Sequence, residues 1–296
     1  MKRAYCKFVI AALVMLAAAS CSSAPKRPAE VFAARNMASG QLELASQTAN
    51  QGRFNEALLI IEDVKRTAVG IDSPQLIIRS EIVLGNVLFS IGQQDEAFKS
   101  WEAALRNAEK DGEKNLASHA RIYAARGRLL LLSADSGAAG TANRELEEIV
   151  SLLNREITAL KGDSFGEAAG WAALGLAEKE LRHYTEAENS VRKALAIHEK
   201  KLYLEEAAYD WYLIASIRSV SQRYNEAIDA LKTAIKFNRR AENGFGLATN
   251  WHGLGEVYSK SGNAAEANAS YRRAADIYNA LGMEEAALKA EAKIRN

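Results

Sequence analysis

The chain has 296 residues, 48% of them hydrophobic and 25% charged, a balance that excludes a disordered chain. Its 38 basic and 37 acidic residues leave a formal net charge of +1, and the two signs interleave, so there is no basic face for nucleic acid. Only three prolines occur, Pro25 and Pro28 near the start and Pro74 behind Ser73, so the body is free to be helical almost throughout.

The opening stretch MKRAYCKFVIAALVMLAAASC carries Lys2, Arg3 and Lys7, then an apolar run from Phe8 to Ala19, then small residues. This is the layout of a secretory signal peptide over residues 1–20, and the run is too short for a spanning helix. Its end, LAAASC, resembles a bacterial lipobox, whose cysteine receives diacylglycerol and becomes the new amino terminus. Cys21 matches that cysteine, and Ser20 and Ala19 match the small residues before it. Ala18 stands where the family prefers leucine, and Ala17-Ala18-Ala19 offers ordinary signal peptidase an alternative site. Cleavage before Cys21 discards Cys6, leaving a chain with a single cysteine and no means of forming an internal disulfide or a thiolate zinc site. Removing Lys2, Arg3 and Lys7 from the basic residues leaves 35 against 37 acidic ones. Residues 21–30, polar and interrupted by Pro25 and Pro28, read as the tether of a lipidated protein. Ser22 in place of an aspartate behind Cys21 is what the resemblance associates with transport to the outer membrane, facing the periplasm.

From residue 31 onward the chain repeats itself. A first unit carries Leu44, Ala45, Gly52, Phe54, Ala57, Ile61 and Val64, and a second carries Leu84, Gly85, Leu88, Gly92, Ala97, Trp101 and Ala104. A degenerate third has Ile122, Ala125 and Leu129 on one helix and Ala142, Leu146 and Ile149 on the next, with the run SADSGAAG from Ser133 to Gly140 as a lengthened turn. The last three are clean copies, marked by the evenly spaced tryptophans Trp171, Trp211 and Trp251. Each is followed by an apolar–small pair, Leu174-Gly175, Ile214-Ala215 and Leu254-Gly255, then by small residues at Ala187, Ala194, Ala227, Ala234, Ala267 and Ala274. Self-similarity at this period is the signature of a stacked array of helix pairs, six of them over residues 38–282. Gly175, Ala187 and Ala194 are small where helix axes come closest, while Trp171 and Val191 fill the space between them. Gly244, in NGFGLATN, reads as a helix stop between repeats. Beyond Gly282, Met283, Ala287, Ala290 and Ile294 form one apolar face, so residues 283–296 read as a capping helix.

The pattern resembles the tetratricopeptide repeat, most closely from Ala248 to Leu281 through Trp251, Leu254, Gly255, Tyr258, Gly262, Ala267, Tyr271 and Ala274. The resemblance implies an all-α, right-handed superhelical solenoid of about six such pairs over residues 31–296, with a C-terminal capping helix and a protein-binding concave groove lined by the first helix of each pair. Carried over by position, the groove residues are Arg79, Asn86 and Phe89 in the second unit, Tyr209 and Tyr212 in the fifth, and His252, Glu256 and Lys260 in the sixth. Asn86 and Arg79 alone do not reproduce the family's matched lysine and asparagine clamp for a terminal carboxylate. The spacing of Tyr209 and Tyr212 also suits simple packing between long helices.

No catalytic motif emerges. His119, His183, His198 and His252 lack metal-ligand spacing, no serine sits in Gly-x-Ser-x-Gly, and His183 with Glu186 makes at most a solvated pair. Gly244 and Gly246 lack the lysine of a phosphate loop. No enzyme, cofactor or metal is expected. The expected function is a membrane-tethered scaffold or adaptor for a cell-envelope complex, held by lipid on Cys21 and gripping a protein partner. The alternative is a periplasmic binding module for a small ligand or a soluble transport protein, with a closed superhelix as receptacle.

Overall fold

The computed structural model describes residues 33–134 and 139–294. Among them there is no strand, and helices follow one another almost without interruption: α1 (Ala33–Asn50), α2 (Phe54–Gly70), α3 (Pro74–Ser90), α4 (Gln94–Lys110), α5 (Lys114–Ala134), α6 (Ala139–Ala159), α7 (Ser164–Glu180), α8 (Tyr184–Lys201), α9 (Leu204–Val220), α10 (Tyr224–Arg240), α11 (Gly244–Lys260), α12 (Ala264–Ala280) and α13 (Glu284–Glu291). They form six antiparallel pairs, α1 with α2 through α11 with α12, and α13 closes the carboxyl end. The expected signal peptide (1–20) and the segment expected to follow it as a tether (21–30), with Cys21, fall outside the described residues.

The period has a simple origin. Helix length and turn length are nearly constant along most of the chain, so successive helices begin at a fixed interval and every second one restores the repeat. In each fully described turn the last residue but one is left-handed: Gly52, Asp72, Gly92, Gly112, Gly162, Arg182, Leu202, Gln222, Glu242, Gly262 and Gly282. The amide that follows reaches back across the turn to the end of the preceding helix, as in Gln93 N to Leu88 O (2.9 Å) and His183 N to Glu178 O (2.9 Å), so one helix is closed where the next begins. Side chains cap only some of these starts, among them Asp163 and Asn243, which accept from the amides of Gly166 and Gly246.

Small residues set the helix separations as the repeats require. A Cβ added to Gly175 of α7 would stand 2.4 Å from Val191 Cγ2 and 2.9 Å from the Ala187 carbonyl oxygen of α8, and one on Gly255 would stand 2.7 Å from the Tyr271 ring. Ala187, Val191, Ala194, Ala227 and Ala234 are wholly buried. One apolar core runs from α5 to α11, and a second joins α1, α2 and α3. The odd-numbered helices touch one another from pair to pair, whereas no two even-numbered helices share comparable contact. The odd layer therefore lies inside the curve and the even layer outside it.

Four local expectations change. Ser133 and Ala134 end α5, and Ala139 and Gly140 begin α6, so half of the SADSGAAG run belongs to these two helices, and residues 135–138 lie outside the described residues. Gly244 starts α11 instead of stopping α10; the chain reverses at Glu242, and Asn243 caps the helix that follows. The capping helix covers only Glu284–Glu291: Ala287 and Ala290 are buried, but Ile294 lies beyond its end. Leu44 of the first unit is 48% exposed and Met37, on the same helix, 67%, on a face of α1 that no other described helix covers.

The curve is tight enough for the two ends of the array to meet. The turn between α1 and α2 reaches the fifth and sixth pairs: the Asn50 amide donates to the Glu205 carboxylate of α9, and Phe54 meets Phe245 of α11 edge to face at 5.9 Å. Leu281, after α12, fills the space beside Gly52 and Gly244, so that a Cβ on either would stand 3.0 or 3.1 Å from it.

Candidate functional site

The inner layer brings the fifth and third pairs together. Tyr209 and Tyr212, one turn apart on α9, stack with their centroids 6.3 Å apart and planes 23° apart. Both are half-buried against the main core. Tyr212 rests against α11, its Cε2 3.4 Å from where a Cβ of Gly253 would be, and burial pushes its phenol up to about 12. Tyr209 turns the other way, across α7, and lies beneath Arg126 of α5, whose Cζ is 4.5 Å from the ring centroid. The tyrosines thus combine the two expected roles, packed at the base and open on the inner face.

The other expected groove residues lie on α3 of the second pair and α11 of the sixth. Asn86 accepts from the Trp101 indole at 3.2 Å and lies beside Tyr123, so it joins α3 to α4 and α5. Phe89 belongs to a ring cluster with Phe98 and Trp101, at 6.5 and 5.7 Å. Arg79 is exposed. In the sixth pair His252 packs on Tyr271 at 5.4 Å, Glu256 is tied to Lys293 at 3.0 Å, and Lys260 is exposed. His252 and Glu256 act on each other electrostatically and share Tyr271 as a neighbour, while Lys260 ends the helix.

Sequence reasoning missed Arg126, which sits on the degenerate third unit where no repeat signature marks the register. It also missed Glu205 and Glu206, acidic residues in the first turn of α9. Burial and the neighbouring Glu206 charge push Glu205 to about 7, with the Asn50 amide opposing the shift.

Two of the four histidines hold helices together. His119 Nε2 lies 3.0 Å from Asp163, which also caps α7, and His198 Nδ1 lies 2.6 Å from the buried Asp210, linking α8 to α9. Burial raises Asp210 to about 6, against the pull of His198. His183 and Glu186 are exposed and make no ion pair among the described residues. Among those residues no group of three or more His, Cys, Asp or Glu could hold a metal, and no helix is long and apolar enough to cross a membrane. On the outside are two shallow grooves, one of about 630 Å³ beside Leu58, Val69 and Leu84, the other of about 340 Å³ around Trp251, Arg239 and Arg273.

Residues 206–280, from α9 to α12, match the family model of the tetratricopeptide repeat. Among solved structures, a Rap protein complexed with competence and sporulation factor superposes with a TM-score of 0.56 at 16% identity, covering 86% of this chain and 72% of that one. The apo form of RapI gives 0.50 at 12% identity, covering 87% and 70%. A thermophilic TPR protein of Thermus thermophilus gives 0.47 at 17% identity, covering 69% and 97%. No curated protein is significantly similar in sequence. The described residues thus form an all-helical solenoid similar in fold to those structures, with a match to the repeat family over residues 206–280.

Proposed function

We propose that the protein is a non-enzymatic interaction module, tethered outside the cytoplasm by lipid on Cys21, whose inner helical layer receives a segment of a protein partner in a cell-envelope assembly. The observation that carries the binding role is the half-buried Tyr209–Tyr212 stack on that layer. Two rigid amphipathic rings, ordered before binding, present apolar area at little entropic cost. The envelope location rests on the signal-like opening and the lone retained cysteine.

Cross-linking in intact envelopes tests the binding role. Tyr209→Ala/Tyr212→Ala should lose partners that wild type retains, while Arg272→Ala/Arg273→Ala on the outer α12 retains them. Because Tyr212 is packed against α11, Tyr209→Ala alone is the cleaner probe and should keep native helicity. Unchanged capture by both tyrosine variants would refute the inner-layer reading. For the anchor, Cys21→Ser should abolish incorporation of a fatty-acid analogue; full incorporation would refute lipidation there.

The contact of Phe54 with Phe245 favours a second reading, a receptacle for a soluble ligand, because the array closes on itself. Ligand-dependent melting in the absence of any protein partner would support it.

A further inference from the structure

On the side turned away from its own pair, α1 carries Ala33, Met37, Gly40, Leu44 and Gln47, spaced by four, three, four and three residues, which aligns them as one stripe along the helix. All five are exposed. In later pairs the same register positions are where one pair docks on the pair before it: Gly170, Leu174 and Ala177 of α7 are buried there, and so are Asp210, Ile214 and Ile217 of α9.

Glycine inside a helix costs stability relative to alanine, and close approach by a neighbour is what justifies it. Elsewhere in this chain that approach is visible. A Cβ on Gly85, Gly127, Gly175 or Gly255 would stand under 3 Å from a side chain of another helix. One on Gly170, which holds in α7 the place of Gly40 in α1, would stand 2.6 Å from Ile157 of the preceding α6. Around Gly40 the space is open to at least 4 Å. The first described helix therefore repeats the docking stripe of the later pairs, glycine included, with no described helix upon it.

The stripe is complementary to itself. When two copies of α1 cross antiparallel with Gly40 on the two-fold axis, Met37 of each copy lies over Leu44 of the other and Ala33 over Gln47. The Asn36 amide of each copy then comes beside the Glu43 carboxylate of the other, and both groups are exposed and positioned along the stripe's edge. The carboxyl end of a second copy offers no such match, because α13 already covers it, with Ala287 and Ala290 buried beneath and the Glu285–Lys289 pair outside. A two-fold contact also closes after two copies, whereas head-to-tail docking would run on into a fibre.

We propose that α1 is a self-association surface through which two copies of this chain pair antiparallel about a two-fold axis at Gly40. Tyr209 and Tyr212 take no part in the contact, so the pair offers two inner layers at one place and binds a repeated partner with greater avidity.

The test begins with sedimentation equilibrium of the full chain in density-matched detergent, where wild type should be dimeric at about 100 µM. Leu44→Glu and Gly40→Leu, both at exposed positions, should keep native helicity and weaken the dimer about tenfold or more. A monomeric wild type at that concentration overturns the proposal, and so does a dimer that both variants leave unchanged. Oxidation with copper phenanthroline in intact envelopes then reads the register. Gly40→Cys should give a disulfide-linked dimer, and Met37→Cys/Leu44→Cys likewise. Leu44→Cys alone should link several-fold less, because its two copies lie about 12 Å apart along the pair. Wild type, with Cys21 and no engineered thiol, is the control. Linkage of Gly40→Cys to a different protein, or a dimer in which Gly40→Cys does not link, overturns the two-fold contact.

Discussion

Phe54 of α2 and Phe245 of α11 meet edge to face at 5.9 Å, so the first and sixth pairs are neighbours although they stand at opposite ends of the array. A partner cannot encircle such a solenoid from the side without opening this seam. Phe54→Ala and Phe245→Ala should each destabilise the protein by about 1–2 kcal/mol, and their double-mutant cycle should return a coupling of about 0.5–1.5 kcal/mol. Solution scattering should show a larger radius of gyration in both variants. Strict additivity with unchanged dimensions would mean that the ends do not meet in solution.

The seam should also respond to pH. The folded Glu205 carboxyl lies above its ordinary 4.5, at about 7, so the closed state holds that proton more tightly than the unfolded chain does. Its contribution is complete below pH 4.5 and fades as pH rises through about 7. Glu205 is partly solvated, which limits the effect to about 1–2 kcal/mol. Glu205→Gln should flatten the pH dependence of melting across this window; an unchanged slope would count against the burial of Glu205 beside Glu206 at the seam.

Glu188 predicts the opposite sign. Against desolvation, hydrogen bonds from Arg218, Arg223 and Arg192 hold it at about 2; the first two, at 2.8 and 2.6 Å, join the fourth pair to the fifth, and Arg192, at 2.7 Å, lies on α8 itself. Because this carboxyl is depressed below 4.5, its contribution is present above that pH and lost as pH falls towards 2. Glu188→Gln should cost about 2–3 kcal/mol at neutral pH and much less near pH 2, read from denaturant midpoints.

Gly175→Leu should destabilise by about 1–3 kcal/mol through overpacking, since its Cβ would meet Val191 and the backbone of α8. Gly244→Leu meets only the flexible end of Leu281, at 3.1 Å, and should cost less. Equal midpoints for the two would contradict the packing of α7 on α8.

Leu202 is left-handed at φ 59° and 72% exposed, a conformation and a location that both disfavour leucine. Leu202→Gly should raise stability by about 1 kcal/mol, after allowing for the greater freedom of glycine in the unfolded chain. A lower melting temperature would show that Leu202 is held by contacts absent from this arrangement.

The helix pairs were legible in the sequence because their determinants are local and repeated. Small residues at Gly175, Ala187 and Ala194, evenly spaced tryptophans and turn glycines such as Gly92 and Gly262 each act within one pair or its neighbour. A fixed period exposes them without knowledge of the whole. Tyr209 and Tyr212 were legible as inner-layer residues for the same reason, since their places follow from the register of α9. Tertiary structure alone decided what depends on curvature. The approach of Arg126 to Tyr209 spans two pairs, and those of Asn50 to Glu205 and Phe54 to Phe245 span the entire array. Small rotations between successive pairs accumulate along a solenoid, so whether its ends meet is a sum over interfaces that no single motif records. The neighbours of His252 and Glu256, Tyr271 and Lys293, were likewise decided by how α12 and the C-terminal segment came to lie against α11.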